Sequence, residues 1–122
     1  MANKILIADD EPNIVISLEF LMKREGFEVT VAKDGEEAVQ CIRRDRPDLV
    51  LLDVMMPRRT GFEVCQEVRA DPALAGMRIL MLTAKGRDTE VAKGLALGAD
   101  AYMTKPFSTK ELVEKVRSML EC

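Results

Sequence analysis

LVLLDVMMP, residues 49–57, decides how the rest of the chain is arranged. Leu49, Val50, Leu51 and Leu52 run straight into Asp53, and Val54, Met55 and Met56 follow it. An apolar run with no polar alternation reads as a strand covered on both faces, the condition of a parallel sheet between layers of helices. A carboxylate at the end of such a strand costs on the order of several kcal/mol if nothing compensates its charge. Either a cation stands near Asp53, or the strand ends at the mouth of a site.

Outward from this stretch, strand-like runs alternate with amphipathic segments. Ile5 to Ala8 is the first run. A helix is predicted from about Pro12, which suits a first turn, with Ile14, Val15, Leu18, Leu21 and Met22 on one face and Gly26 at its exit. FEVTVA, residues 27–32, alternates and so fits an edge strand with one covered face. Asp34 with Glu37, Thr60 with Glu63 and Ser108 with Glu111 have capping-box spacing and open the second, third and fifth helices. Arg46-Pro47 and Asp71-Pro72 close the second and third. Ile79 to Leu82 is a fourth strand, ending at Thr83. The helix after it, from about Asp88, carries Val91, Leu95 and Ala96 and stops at Gly98. Residues 101–104 make a short fifth strand before Lys105-Pro106, and the last helix has a stripe of Leu112, Val113, Val116, Met119 and Leu120. This repeated strand–helix order predicts an α/β fold, a doubly wound parallel sheet with right-handed crossovers and helices on both faces.

Composition narrows the function. The 122 residues suit one domain with one core, and no second domain, linker or low-complexity tract interrupts them. A net charge of −3 does not favour nucleic acid as a direct partner. No apolar stretch is long enough to span a membrane, and MANKILIADD reaches acidic residues too early for a signal peptide, so the cytoplasm is the expected location. Cys41, Cys65 and Cys122 form neither a disulfide frame nor a zinc site, and the first two are expected to pack as small hydrophobes. The eight methionines read as adaptable core filler, and the pairs Arg43-Arg44 and Arg58-Arg59 as solvated faces. Histidine is absent, which removes the commonest general base and metal ligand.

The polar residues then fall into a pattern. Asp9 and Asp10 follow the first strand, Asp53 ends the third, Thr83 the fourth and Lys105 the fifth. In an open parallel sheet these ends share the edge where ligands bind. Singly, each has an ordinary role: loop solvation, a helix-dipole partner, a strand-end hydroxyl, a surface charge. Together they place three carboxylates that cannot all ionise comfortably beside a lysine and a hydroxyl. A hard divalent cation such as magnesium resolves the conflict, since it takes oxygen ligands and commonly one or two carboxylates. The set suits phosphoryl transfer, with a carboxylate as one candidate nucleophile.

Four stretches carry a resemblance that covers the whole chain: IADDEPN (7–13), LVLLDVMMPRRTG (49–61), ILMLTA (79–84) and YMTKPF (102–107). The chain resembles the receiver domains of two-component response regulators, of the chemotaxis-regulator kind. The resemblance implies a flavodoxin-like (βα)5 fold with strand order 2-1-3-4-5, one receiver domain over residues 1–122, and a phosphorylation-activated switch. Asp53 is then the phosphoacceptor, taking the group from a phosphohistidine of a sensor histidine kinase or phosphotransfer protein. Mg2+, or Mn2+, is implied as cofactor, held by Asp10, Asp53 and the backbone carbonyl of Met55, with Asp9 acting through water. Lys105 is implied to contact the phosphoryl oxygens, Thr83 to swing towards them, and Tyr102 to turn inward with it. Met55 and Lys85 are implied to tune the lifetime of the phosphate, and the Lys105-Pro106 bond to be cis. The output face is implied to lie within Val91–Met119, serving a downstream domain or protein, in a monomer or a phosphorylation-dependent dimer. Such a switch assists its own phosphorylation and dephosphorylation and turns over no external substrate.

Three other readings fit less well. A haloacid-dehalogenase-like phosphatase is expected to place an acid two residues after its Asp nucleophile, where this chain has Met55. A nucleotide or flavin binder needs a Gly-rich or hydroxyl-rich loop after a strand, where this chain has Asp9-Asp10-Glu11-Pro12-Asn13. A receiver-like module that is never phosphorylated would have no need of the complete acidic set.

Overall fold

The computed structural model describes residues 3–84, 88–105 and 107–120. Lys85, Pro106 and Cys122 lie outside the described residues. Five strands, β1 (Lys4–Ala8), β2 (Glu28–Ala32), β3 (Leu49–Asp53), β4 (Arg78–Ala84) and β5 (Ala101–Lys105), alternate with α1 (Pro12–Arg24), α2 (Gly35–Asp45), α3 (Gly61–Arg69), α4 (Asp88–Ala96) and α5 (Thr109–Leu120). A short 3-10 turn, Pro72–Leu74, follows α3. The strands pair in parallel in the order β2-β1-β3-β4-β5, so the alternating strand lies at an edge and the unbroken apolar strand at the centre.

The period-two alternation of strand side chains divides the core into two layers. Ile5, Ile7, Leu49, Leu51, Leu80 and Leu82 face α1 and α5, meeting Leu18, Leu21, Met22, Leu112 and Val116. Leu6, Val50, Leu52, Ile79 and Met81 face the other way, meeting Ala38, Val39 and Ile42 of α2 and Val64, Cys65 and Val68 of α3. Cys41 and Cys65 are buried, and burial holds both thiols above their ordinary range. Met22, Met56, Met77 and Met81 are buried in the core.

Three differences from the sequence expectation have physical causes. Asp53 ends β3 as expected, but β4 runs on to Ala84, one residue past Thr83, because the backbone ladder continues under a polar side chain: Thr83 is in register with Thr104 and Ala84 with Lys105. In α4, Leu95 and Ala96 are exposed and Gly94 is the buried position. A Cβ on Gly94 would come within 3.4 Å of Met81, so this short helix sits against β4 on its smallest residue, and the apolar pattern cannot reveal that. At α2, Asp34 accepts from Glu37 N at 2.8 Å, but the Glu37 carboxylate accepts from Lys33 N at 3.3 Å. The full reciprocal box forms at α3, where Thr60 and Glu63 each accept from the other's backbone amide. Thr60→Ala is expected to cost about 1 kcal/mol, read as a lower urea midpoint at unchanged slope. No helix among the described residues is long and apolar enough to cross a membrane.

Candidate functional site

Every strand of this sheet points the same way, so β1, β3, β4 and β5 deliver their C-terminal residues to one edge. Asp9 follows β1, is fully buried, and accepts from Glu11 N on Oδ1 at 3.0 Å. Its other oxygen, Oδ2, accepts from Lys105 Nζ at 3.0 Å. The same ammonium lies 3.4 Å from Asp53 Oδ1 and bridges the two acids. Asp10 is exposed beside them, and Asp9, Asp10 and Asp53 each offer a carboxylate oxygen within 4.8 Å of the others'.

The electrostatics follow from burial. Asp53 is 6 % exposed. Desolvation, then the Asp9 charge, push its carboxyl up from 3.8 to about 6, against the pull of Lys105 and the Met55 amide. Burial alone would lower the Lys105 ammonium, but its hydrogen bond to Asp9 and the charges of Asp53, Asp9 and Glu11 leave it raised. One amine thus serves a group of acids richer in negative charge than itself. Thr83 Oγ1 is buried nearby with no hydrogen-bond partner among the described residues. Leaving a buried hydroxyl unpaired is costly, on the order of 1–3 kcal/mol, so it marks a place for an absent acceptor. An all-oxygen donor set with surplus negative charge fits a hard divalent cation. An orphan donor beside it fits an incoming anion.

Around these residues the sheet edge opens into a cavity of about 270 Å³. Asp10, Asp53, Thr83 and Lys105 line it as the sequence predicts, and so does Met55, which is 61 % exposed at the rim. Glu11 and Glu90 also line it, and sequence reasoning missed both in this role. The signal was positional: Glu90 sits at the start of α4, and a helix that follows a strand begins at the strand's C-terminal edge. Tyr102 is elsewhere. It is 45 % exposed on β5 and lines a neighbouring open cavity of about 750 Å³ with Leu95 and Lys115, and Lys105 lines both cavities. Lys85 cannot be placed, lying outside the described residues.

Residues 5–117 match the family model described as response regulator receiver domain. Several solved structures superpose over nearly the whole chain. A candidate response regulator from Chloroflexus aurantiacus J-10-fl is 37 % identical over 100 % of both chains, with a TM-score of 0.96. The chemotaxis response regulator CheY4 of Vibrio cholerae is 32 % identical over 98 % of this chain and 100 % of its own, with a TM-score of 0.92. The signal receiver domain of a signal transduction histidine kinase from Syntrophus aciditrophicus is 31 % identical over 98 % of this chain and 91 % of its own, with a TM-score of 0.91.

Proposed function

We propose, on the premise that this chain belongs to the response regulator receiver domain family, that Asp53 captures a phosphoryl group from the phosphohistidine of a sensor kinase or phosphotransfer protein. The observation that carries this reading is the buried Asp53 carboxylate within reach of Lys105, with Asp9 and Asp10 gathered beside it. An Asp53 oxygen attacks phosphorus as the phosphorus–nitrogen bond breaks. The bonding pair stays on the imidazole nitrogen, and Asp53 becomes a mixed anhydride. Asp10, Asp53 and the Met55 carbonyl would hold Mg2+ or Mn2+, with Asp9 acting through water, and the ion's chemistry is to neutralise charge among the oxygens gathered there.

The chain's own residues account for the switch. Phosphorylation adds charge and three strong acceptor oxygens. Lys105 can turn its ammonium from Asp53 to those oxygens, and Thr83 can donate its buried hydroxyl, which has no partner among the described residues. Because both gain partners in only one state, they bias a two-state equilibrium. Tyr102 then exchanges its exposed position for an inward one. The output surface is within Val91–Met119, where Leu95 and Tyr102 are exposed side by side. A kinase phosphodonor places the reaction in the cytoplasm, with the domain a monomer or a phosphorylation-dependent dimer, and its only turnover is that of its own phosphate.

Incubation with acetyl phosphate, read by intact mass, tests this directly. One phosphoryl group is expected in magnesium and none in excess chelator; metal-independent uptake, or none in either, contradicts it. Met55 and Lys85 set the lifetime in this reading. Met55→Asn removes apolar cover from the rim and offers an amide to water, so the phosphorylated protein is expected to decay faster. An unchanged decay rate takes Met55 out of that role.

A further inference from the structure

The segment between Asp53 and α3 is bent back on itself and laced to its neighbours. Gly61 N donates to Val54 O at 2.9 Å and closes its neck. Arg59 N donates to Pro57 O at 2.8 Å around Arg58, whose φ is 70°. That is a γ-turn of the rare, strained hand, and Arg58 has no glycine's freedom there. Arg58 Nε lies 3.4 Å from Asp34 Oδ2, on the residue that caps α2. Arg59 Nε donates to Glu36 Oε2 of α2 at 2.9 Å, and its Nη1 donates to Glu67 of α3. Glu67 also accepts from Arg43 at 3.2 Å, and Arg43 reaches Asp71 at the same distance. The backbones meet as well: Gly35 N donates to Pro57 O at 3.4 Å, and a Cβ on Gly35 would fall 2.1 Å from Arg59 O.

We infer that Arg58 and Arg59 are positioning residues, which clamp residues 54–60 onto α2 and α3 and so hold the Met55 peptide in place for the metal. The inference rests on the reading of the Met55 carbonyl as a metal ligand. Magnesium demands near-ideal octahedral geometry, so a carbonyl that wanders must be ordered when the ion binds. A segment already bent and tied avoids that cost. Single exposed ion pairs do little, but here Glu36, Arg59, Glu67, Arg43 and Asp71 form one chain across three elements. Its effect belongs on ion affinity and local opening, not on whether the chain folds.

The test is amide exchange over residues 54–61 in metal-free protein, with magnesium affinity by calorimetry. Arg59→Met keeps the stem and removes both pairs. Faster exchange in this segment is expected, with affinity about five-fold weaker at low salt. The gap to wild type should close at about 1 M salt, where screening reaches about 3 Å. Arg44→Met, which removes the Arg44–Asp45 pair on the same helix, should leave both readouts unchanged. Gly35→Ala, which pushes the segment without touching a charge, should weaken the affinity at low and high salt alike. Exchange and affinity in Arg59→Met equal to wild type would overturn the clamp. If wild type itself binds no magnesium, the metal reading fails, and the exchange data still decide whether the arginines hold the segment.

Discussion

Asp53→Asn is expected to take up no phosphoryl group from acetyl phosphate and yet, without metal, to unfold at higher urea than wild type. The first half follows from removing the proposed nucleophile. The second follows from the electrostatics of the site. The folded protein holds the Asp53 proton more tightly than the unfolded chain does, because its carboxyl rises from 3.8 to about 6. The ionised carboxylate therefore destabilises the fold. The penalty is absent below the ordinary value, grows as pH rises towards about 6, and is complete above it. At roughly 1.4 kcal/mol per unit it amounts to about 2–3 kcal/mol near pH 8, which a neutral amide avoids. The advantage of Asp53→Asn should shrink towards zero by about pH 4. Saturating magnesium should reverse the order, since an ion that binds the folded site stabilises wild type by mass action and the amide is the poorer ligand. Urea midpoints at the two pH values, with and without metal, check each part. A metal-free Asp53→Asn less stable than wild type near pH 8 would contradict the electrostatic account.

Lys105→Ala has an effect of similar size and opposite sign. Asp9 is fully buried, and the Lys105 ammonium at 3.0 Å is its charge partner. Removing that amine leaves the Asp9 and Asp53 carboxylates facing each other without it. Breaking a buried pair from one side costs about 3–5 kcal/mol, so metal-free Lys105→Ala is expected to lose roughly 3 kcal/mol. Magnesium should restore much of this loss. The variant should still accept phosphate, more slowly, because Asp53 and the acids proposed to hold the metal remain. It should fail to switch. Tyr102 is the sole tyrosine and the chain has no tryptophan, so tyrosine fluorescence reports that position alone. A phosphorylation-dependent change in wild type that persists in Lys105→Ala would remove Lys105 from the switch.

How far the sequence reached depends on the kind of pattern involved. The unbroken run from Leu49 to Leu52 identified the central strand, and the alternation over 27–32 the edge, because burial on two faces or one leaves a direct mark on residue type. Asp9, Asp10, Asp53, Thr83 and Lys105 could be brought to one edge because a parallel sheet aligns strand ends whatever the loops do. Which acid Lys105 joins was not legible, because pairing depends on side-chain reach and not on position along the chain. The same limit applies to Arg43, Arg58 and Arg59. They read as solvated faces, and the structure pairs them with Asp71, Asp34, Glu36 and Glu67 on other elements. The inward face of α4 was misread for a different reason: its contact is Gly94, and an apolar pattern has no symbol for a contact made by a missing side chain. Glu90 was legible from topology, had the start of each helix been counted with the strand ends.

Borohydride cleaves the acyl phosphate of an aspartate and leaves homoserine, so it records which carboxylate carried the group. Wild type treated with acetyl phosphate and magnesium, reduced and mapped by peptide mass, is predicted to carry homoserine at position 53 and nowhere else. Conversion of Asp9 or Asp10 instead, or a phosphorylated protein with no reducible aspartate, would contradict the claim that Asp53 is the captor.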